Sequence, residues 1–160
     1  MSGFTPVASK AAVIGAGTIL SILGPSGVLP AITAIPLGEI SDGSFDGWKT
    51  STTTATNFDS GNVVKNLGTL FDWGTMSCTY NNVPSNAGQL ALLAAAKSRV
   101  AYDFTLQLPV EPLWGQTTTG NLYTISAIVT SAGGFDFSQT KVSTCKLTLQ
   151  INDIVITPGS

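Results

Sequence analysis

The side chains able to perform acid–base chemistry are few, and one group of carboxylates comes closest to a usable set. Glu39, Asp42 and Asp46 lie close together in the sequence. Two carboxylates can hydrolyse a glycosidic bond when they flank one substrate cleft. On a β-strand, however, Glu39 and Asp42 would point to opposite faces, because side chains alternate along a strand. The spacing therefore argues against a catalytic pair.

Nucleophilic and metal-dependent chemistry also lack their usual residues. The sequence contains no histidine, the commonest metal ligand and general base. No Gly-x-Ser-x-Gly motif marks a nucleophilic serine, and Cys78 and Cys145 alone cannot complete a four-ligand metal site. We therefore predict no catalytic residue, no metal site and no enzymatic activity. We expect the two cysteines to be unlinked and to pack as small hydrophobic side chains.

A glycine pair near the N-terminus imitates a cofactor motif. Gly15 and Gly17 resemble the start of a dinucleotide-binding fingerprint, but the third glycine is replaced by Leu20. Gly24-Pro25 would also end the required helix early. We predict no cofactor, and we interpret residues 1–30 as an N-terminal arm that contains the first strand.

The chain carries little charge for its length. Of 160 residues, 7 are basic and 9 are acidic, whereas an average soluble domain of this length has about 40 charged residues. The 43% hydrophobic content excludes a disordered chain. The net charge of −2 offers no surface for neutralising nucleic-acid phosphates. Because charge keeps monomers apart, the shortage predicts a subunit that covers its surface with copies of itself.

An uncharged stretch covers residues 11–37. Glycines and prolines interrupt it, and its longest unbroken apolar part, residues 11–23, is too short to span a bilayer. We therefore predict no membrane association.

Alternating apolar and polar residues predict three strands in the second half of the chain. The alternation covers residues 102–108, 123–129 and 145–151. Short connections that contain Gly120 and Gly133 favour an antiparallel meander. We predict one mainly β domain over residues 1–160, an antiparallel β-sandwich or barrel-like fold.

One helix is predicted at about residues 86–98, flanking the β-structure. Asn86 is a good N-cap with Gln89 three residues later, and the following Ala/Leu run has high helix propensity. No polar residue lies between Gln89 and Lys97. A helix that is apolar nearly all round is buried on more than one side, so we expect a neighbouring subunit to cover its second face.

A long loop is predicted at about residues 43–66, between strands at 32–42 and 69–80. Loops of more than about 12–15 residues are uncommon in a compact domain and are usually functional. Aromatic residues near both ends indicate docking onto another subunit or ring. The predicted contact residues are Trp48, Lys49, Phe58 and Asp59.

Residues 71–88 form a recognisable series of motifs. A strand with an Asp-x-Gly start leads through Asn-x-x-Pro-Ser-Asn into an Ala/Leu helix. This series resembles the tail tube (major tail) proteins of long-tailed bacteriophages. The strands at 102–109, 125–131 and 146–151 and the Gly15–Thr18 opening follow in the order of that family. The specificity of the match lies in the order of the elements.

The resemblance implies a β-sandwich with one flanking helix, assembled as hexameric rings that stack into a tube for DNA ejection. It implies that the partners are copies of the chain together with tape measure, tail terminator and tail tip proteins. DNA would be a non-specific cargo of the lumen. The location implied is the tail of a virion assembled in the bacterial cytoplasm.

A conduit for DNA must not hold the polyanion, and every basic residue that contacts a phosphate strengthens binding by releasing counterions. We therefore expect a net negative or neutral lumen, with at least one of Glu39, Asp42 and Asp72 facing it.

Two other functions fit the same composition. One is a secreted β-sandwich adhesin or carbohydrate-binding module, in which Trp48, Trp73 and Trp114 form a platform for sugars. The other is a different ring-forming tail component, such as a terminator. Size-exclusion chromatography distinguishes the module, and electron microscopy distinguishes rings from long tubes.

Overall fold

The computed structural model describes residues 17–27, 33–38, 40–55, 61 and 63–160. The elements are β1 (Ile19–Pro25), β2 (Ile35–Pro36), β3 (Ile40–Phe45), β4 (Lys49–Thr54), β5 (Asn66–Asp72), β6 (Thr75–Asn81), α1 (Ala87–Ser98), β7 (Tyr102–Gln107), β8 (Leu122–Phe135) and β9 (Thr144–Thr157). Seven strands form one antiparallel sheet in the order β2-β1-β7-β8-β9-β6-β3, and β4 and β5 form a separate two-stranded sheet. Among the described residues there is one α-helix, which confirms a mainly β fold with a single helix.

The predicted meander is present as β7, β8 and β9, which are neighbours in the sheet. Phe104 pairs with Ile125, which pairs in turn with Ile154. Strands β8 and β9 are 14 residues long each, well beyond the predicted ranges. The alternation ends earlier because register shifts after Val129 and Ser131 interrupt the pattern on β8, and the shift after Ser126 leaves Asn152 unpaired on β9.

The main sheet curls into an open half-barrel. Side chains from its two margins, including Thr18 beside β1 and Ile40 on β3, line one cavity of about 550 Å³. The inward face of the sheet carries the core, and the opposite face carries mostly polar residues. The largest fully buried core side chains are Leu20, Ile22, Leu37, Tyr80, Leu92, Phe104, Leu147 and Leu149.

Helix α1 covers part of the inward face, and its predicted bounds are confirmed. The Asn86 side chain accepts a hydrogen bond from the Gln89 backbone N–H at 3.1 Å, and Arg99 ends the helix in the left-handed conformation at φ 60°. Leu92 is buried against the core, whereas Leu90 and Leu93 on the same helix are exposed. Among the residues that the structure describes, no element covers this apolar second face.

The predicted loop at 43–66 was wrong, because much of this segment is strand. Strand β3 continues to Phe45, and β4 follows at Lys49–Thr54 and pairs with β5. Strand β4 carries no apolar residue, so it lacks the alternation that marks a half-buried strand. The strand predicted at 69–80 is also divided in two, because Gly74 adopts φ 86° between β5 and β6.

Candidate assembly surfaces

The β4–β5 hairpin projects from the main sheet, and no layer formed by the described residues covers it. Every residue of both strands is exposed, and neither strand pairs with the seven-stranded sheet. Leu70 is 72% exposed. Leu67 pairs with Thr53 and Phe71 with Thr50. Because Thr50 and Thr53 lie on opposite faces of β4, apolar side chains occur on both faces of the hairpin. An isolated hairpin is marginally stable in water, so both of its apolar faces are candidate contact surfaces.

An aromatic cluster holds the base of the hairpin. The Trp73 ring lies 4.9 Å from Phe71 and 5.9 Å from Trp48, edge-to-face in both cases. Trp73 also packs against the main core, and Trp48 is 53% exposed. The cluster therefore fixes the base of the hairpin against the sheet. The Trp48 and Trp73 planes meet at 81°, so the two rings do not form the flat platform that a sugar-binding module would use.

Asp46 fastens the start of the hairpin to β6. Its carboxylate accepts a hydrogen bond from the Thr75 backbone N–H at 2.6 Å and forms an ion pair with Lys49 at 3.2 Å. The Asp46 backbone N–H donates to the Thr75 carbonyl. The Thr75 N–H, followed by Lys49, lowers the pKa of Asp46. The carboxylate therefore stays charged. Its bonds fix the segment that leads into β4 against the start of β6.

The other strand of the hairpin is fastened to β9 through Asp72 and Gly74. Asp72 accepts from the Gly74 backbone N–H at 2.9 Å and from the Gln150 side chain at 3.3 Å. The Gly74 carbonyl accepts from the Ile151 backbone N–H at 3.1 Å. A side chain at Gly74 would overlap the Gly47 carbonyl. Both strands therefore leave the sheet from a rigid base.

The face of the sheet opposite the core carries hydroxyl, amide and charged side chains. Paired residues share a face of a sheet, and Thr79 pairs with Asp42 on one side and with Lys146 on the other. Asp42 and Lys146 therefore lie in one row on this face, which we call the polar face. Neighbouring rows hold Ser44, Ser77, Thr148, Thr75 and Gln150.

The structure separates the predicted contact and lumen residues into three places. Trp48 and Lys49 lie at the base of the hairpin, Asp42 lies on the polar face, and Asp72 lies beside that face through its bond to Gln150. The predictions for Glu39, Phe58 and Asp59 concern positions outside the described residues.

Two exposed apolar surfaces were not predicted from the sequence. One is the turn between β8 and β9, called the tip, where Phe135, Phe137 and Val142 are exposed. The other, called the far end, lies between β7 and β8, where a 3-10 turn at Pro112–Trp114 exposes Leu113 and Trp114. A sequence signal for the tip is the Phe-Asp-Phe series, which lies in a connection between two predicted strands. Aromatic residues at such a place indicate a contact.

Cys78 and Cys145 are both buried, as predicted, on the neighbouring strands β6 and β9. Burial, followed by the charge of Asp42, raises the pKa of Cys78 to about 11. Burial, followed by the neighbouring Cys145, raises the pKa of Tyr80 to about 12. Cys78 and Tyr80 are therefore neutral at physiological pH and act as part of the core.

Within the part of the chain that the structure describes, no set of three or more Cys, Asp or Glu side chains is placed to hold a metal ion. Among the same residues, no helix has the length and apolar character needed to cross a bilayer.

Comparison with known proteins gives similarity in structure alone. No protein-family model matches the sequence, and no curated protein matches it significantly. Solved structures match the chain with probability 1.00, among them three tail or injection-system assemblies. The sheath-tube complex of the extracellular contractile injection system PVC matches with TM-score 0.67 at 14% identity, covering 99% of both chains.

Two further matches are a baseplate and a tail tube. The six-fold symmetrised baseplate of the anti-feeding prophage matches with TM-score 0.63 at 14% identity, covering 94% of this chain and 97% of the other. The SPP1 tail tube matches with TM-score 0.65 at 12% identity, covering 93% and 80%. The resemblance seen in the sequence is thus confirmed at the level of architecture: this chain has the fold found in the SPP1 tail tube.

Proposed function

We propose that this chain is a structural subunit of a tail tube, assembling into hexameric rings that stack to form a conduit for DNA. The observation that carries the proposal is the β4–β5 hairpin, which has apolar side chains on both faces and a rigid base but no layer over it. The fold shared with the SPP1 tail tube supports it. The six-fold symmetrised baseplate supports the ring size.

In this proposal the hairpin packs on a neighbouring subunit. Fully burying a Leu or Phe side chain stabilises a contact by about 1.5–3 kcal/mol, so Leu67, Leu70 and Phe71 together account for several kcal/mol per subunit. The exposed Leu90 and Leu93 on α1 form a second contact. Every contact recurs around a ring, so assembly covers a surface that carries little charge.

The polar face lines the lumen in this proposal. Its charge is net negative, because the row of Asp103, Ser126 and Asp153 adds two carboxylates to the Asp42 and Lys146 row, and Asp72 adds another near its margin. Such a surface lets DNA pass without releasing many counterions. The role is structural rather than catalytic, and the further partners are tape measure, terminator and tip proteins. The location is the virion tail, after assembly in the bacterial cytoplasm.

The experiment is electron microscopy and size-exclusion chromatography of the purified protein, beside a variant in which a Gly-Asn turn replaces residues 50–71. The hairpin strands pair only with each other, so the main sheet should still fold. We expect tubes from the intact chain and a folded monomer from the variant, with circular dichroism as the check on folding. A 16.5 kDa monomer from the intact chain would favour the carbohydrate-binding module. Tubes of normal length from the variant would refute the role of the hairpin.

A further inference from the structure

The tip is an apolar surface that the described part of its own chain leaves exposed. Phe137 is 86% exposed and Val142 is 72% exposed. The Phe135 and Phe137 rings lie 6.4 Å apart, so they form one patch. The Asn82 backbone N–H donates to the Ser143 carbonyl at 2.9 Å and ties the turn to the end of β6. The tip is thus an apolar projection on a supported base.

The far end is a preformed apolar platform. Glu111 accepts a hydrogen bond from the Leu113 backbone N–H at 3.1 Å and holds the turn. The buried Gln116 accepts from the Glu111 backbone N–H at 3.0 Å and donates to Asn121 at 2.8 Å. Asn121 directly precedes β8, and its carbonyl accepts from the Leu108 backbone N–H. Leu113 and Trp114 are therefore displayed in a fixed position.

The two surfaces lie at opposite ends of the β8–β9 hairpin. Strand β8 has 14 residues between them, which corresponds to roughly 45 Å at about 3.3 Å per residue. A tip therefore cannot reach the far end of its own chain. The charges of the two surfaces do not repel, because Asp136 and Lys141 balance in the tip and Glu111 is the single charge in residues 108–122.

We propose that the tip of one subunit docks on the far end of a second copy in the next ring. This inference rests on the proposed function, because it specifies the contact that joins the rings of a tube. The contact is heterologous, since two different surfaces of the same chain meet. Repetition of such a contact produces a stack in which all subunits point the same way.

The experiment is disulfide trapping with the double variant Phe137→Cys/Leu113→Cys in assembled tubes. The native cysteines are buried, so the introduced thiols are the accessible pair. After mild oxidation, we expect a ladder of dimers, trimers and longer species on a non-reducing gel. Each single variant should remain monomeric on the same gel. Dimers from F137C alone would overturn the proposal, because they would show that two tips meet.

A second measurement compares Phe137→Asp with Ser138→Asp, which places the same charge on the adjacent residue. We expect F137D to reduce the fraction of protein in tubes at least tenfold while single rings persist, and S138D to form normal tubes. Normal tubes from F137D would overturn the proposal. If the wild-type protein forms tubes but the double variant gives no ladder, this contact is refuted and the tube function stands. Failure of the wild-type protein to form any tube would overturn both.

Discussion

Replacing Gln89 by alanine should destabilise the fold more than any exposed polar substitution. Its side-chain amide donates to the Leu37 carbonyl at 3.1 Å and to the Asn81 carbonyl at 2.9 Å, and it accepts from the Val83 backbone N–H at 3.0 Å. The residue is 5% exposed, so water cannot replace these bonds without opening the helix. At about 1 kcal/mol for each net hydrogen bond, Gln89→Ala should cost about 3 kcal/mol.

The assay is urea and thermal unfolding, measured on protein kept dilute enough to remain unassembled. A loss of 3 kcal/mol corresponds to a fall in Tm of roughly 6–12 °C for a domain of this size. The matched control is Gln139→Ala in the exposed β8–β9 turn, which should change the free energy of unfolding by less than about 0.5 kcal/mol. Equal stability of Q89A and Q139A would refute the view that Gln89 fixes α1 to β2 and β6.

Three further predictions follow from the described geometry. Gly74→Ala should lower the free energy of unfolding by about 2 kcal/mol or more, because it forces a non-glycine residue to φ 86° against the Gly47 carbonyl, and urea unfolding measures the loss. The folded Cys78 thiol holds its proton up to a pKa of about 11, compared with 9.0 when unfolded. Its contribution to the free energy of unfolding should therefore be complete below pH 9 and decrease as the pH rises toward 11. The control is Cys78→Ser, which lacks the thiol and is unfolded over the same pH range. Cryo-electron microscopy of the tube should place Asp42 toward the channel, and a channel lined mainly by lysines would contradict the proposed lumen.

The strands of the main sheet were predictable where one face is buried and the other is polar. Tyr102–Gln107 is an example, because its partners on β1 and β8 bury Phe104 and leave Thr105 on the other face. The helix was equally accessible, since Asn86 and the Ala/Leu run specify its start and its propensity locally. In both cases the signal is contained within about a dozen residues.

The hairpin and the tip could not be predicted in the same way. Strand β4 is Lys-Thr-Ser-Thr-Thr-Thr, whose strand conformation depends on pairing with β5 rather than on a buried face. The apolar side chains of β5 and of the tip are exposed, so core periodicity does not identify them. Trp48 was singled out because an aromatic residue near the end of a predicted long loop indicates docking. Phe137 was overlooked because residues between two strands were treated as a connection.

The tip and the far end have a consequence for how growth stops. Any stack joined through these surfaces ends in an unoccupied tip layer on one side and an unoccupied far-end layer on the other, whatever its length. Such a polymer has no closed form and no preferred number of layers. Purified subunits should therefore give a broad distribution of lengths above a threshold concentration. A defined length would require a separate measuring component, together with a capping protein that covers one of the two terminal layers.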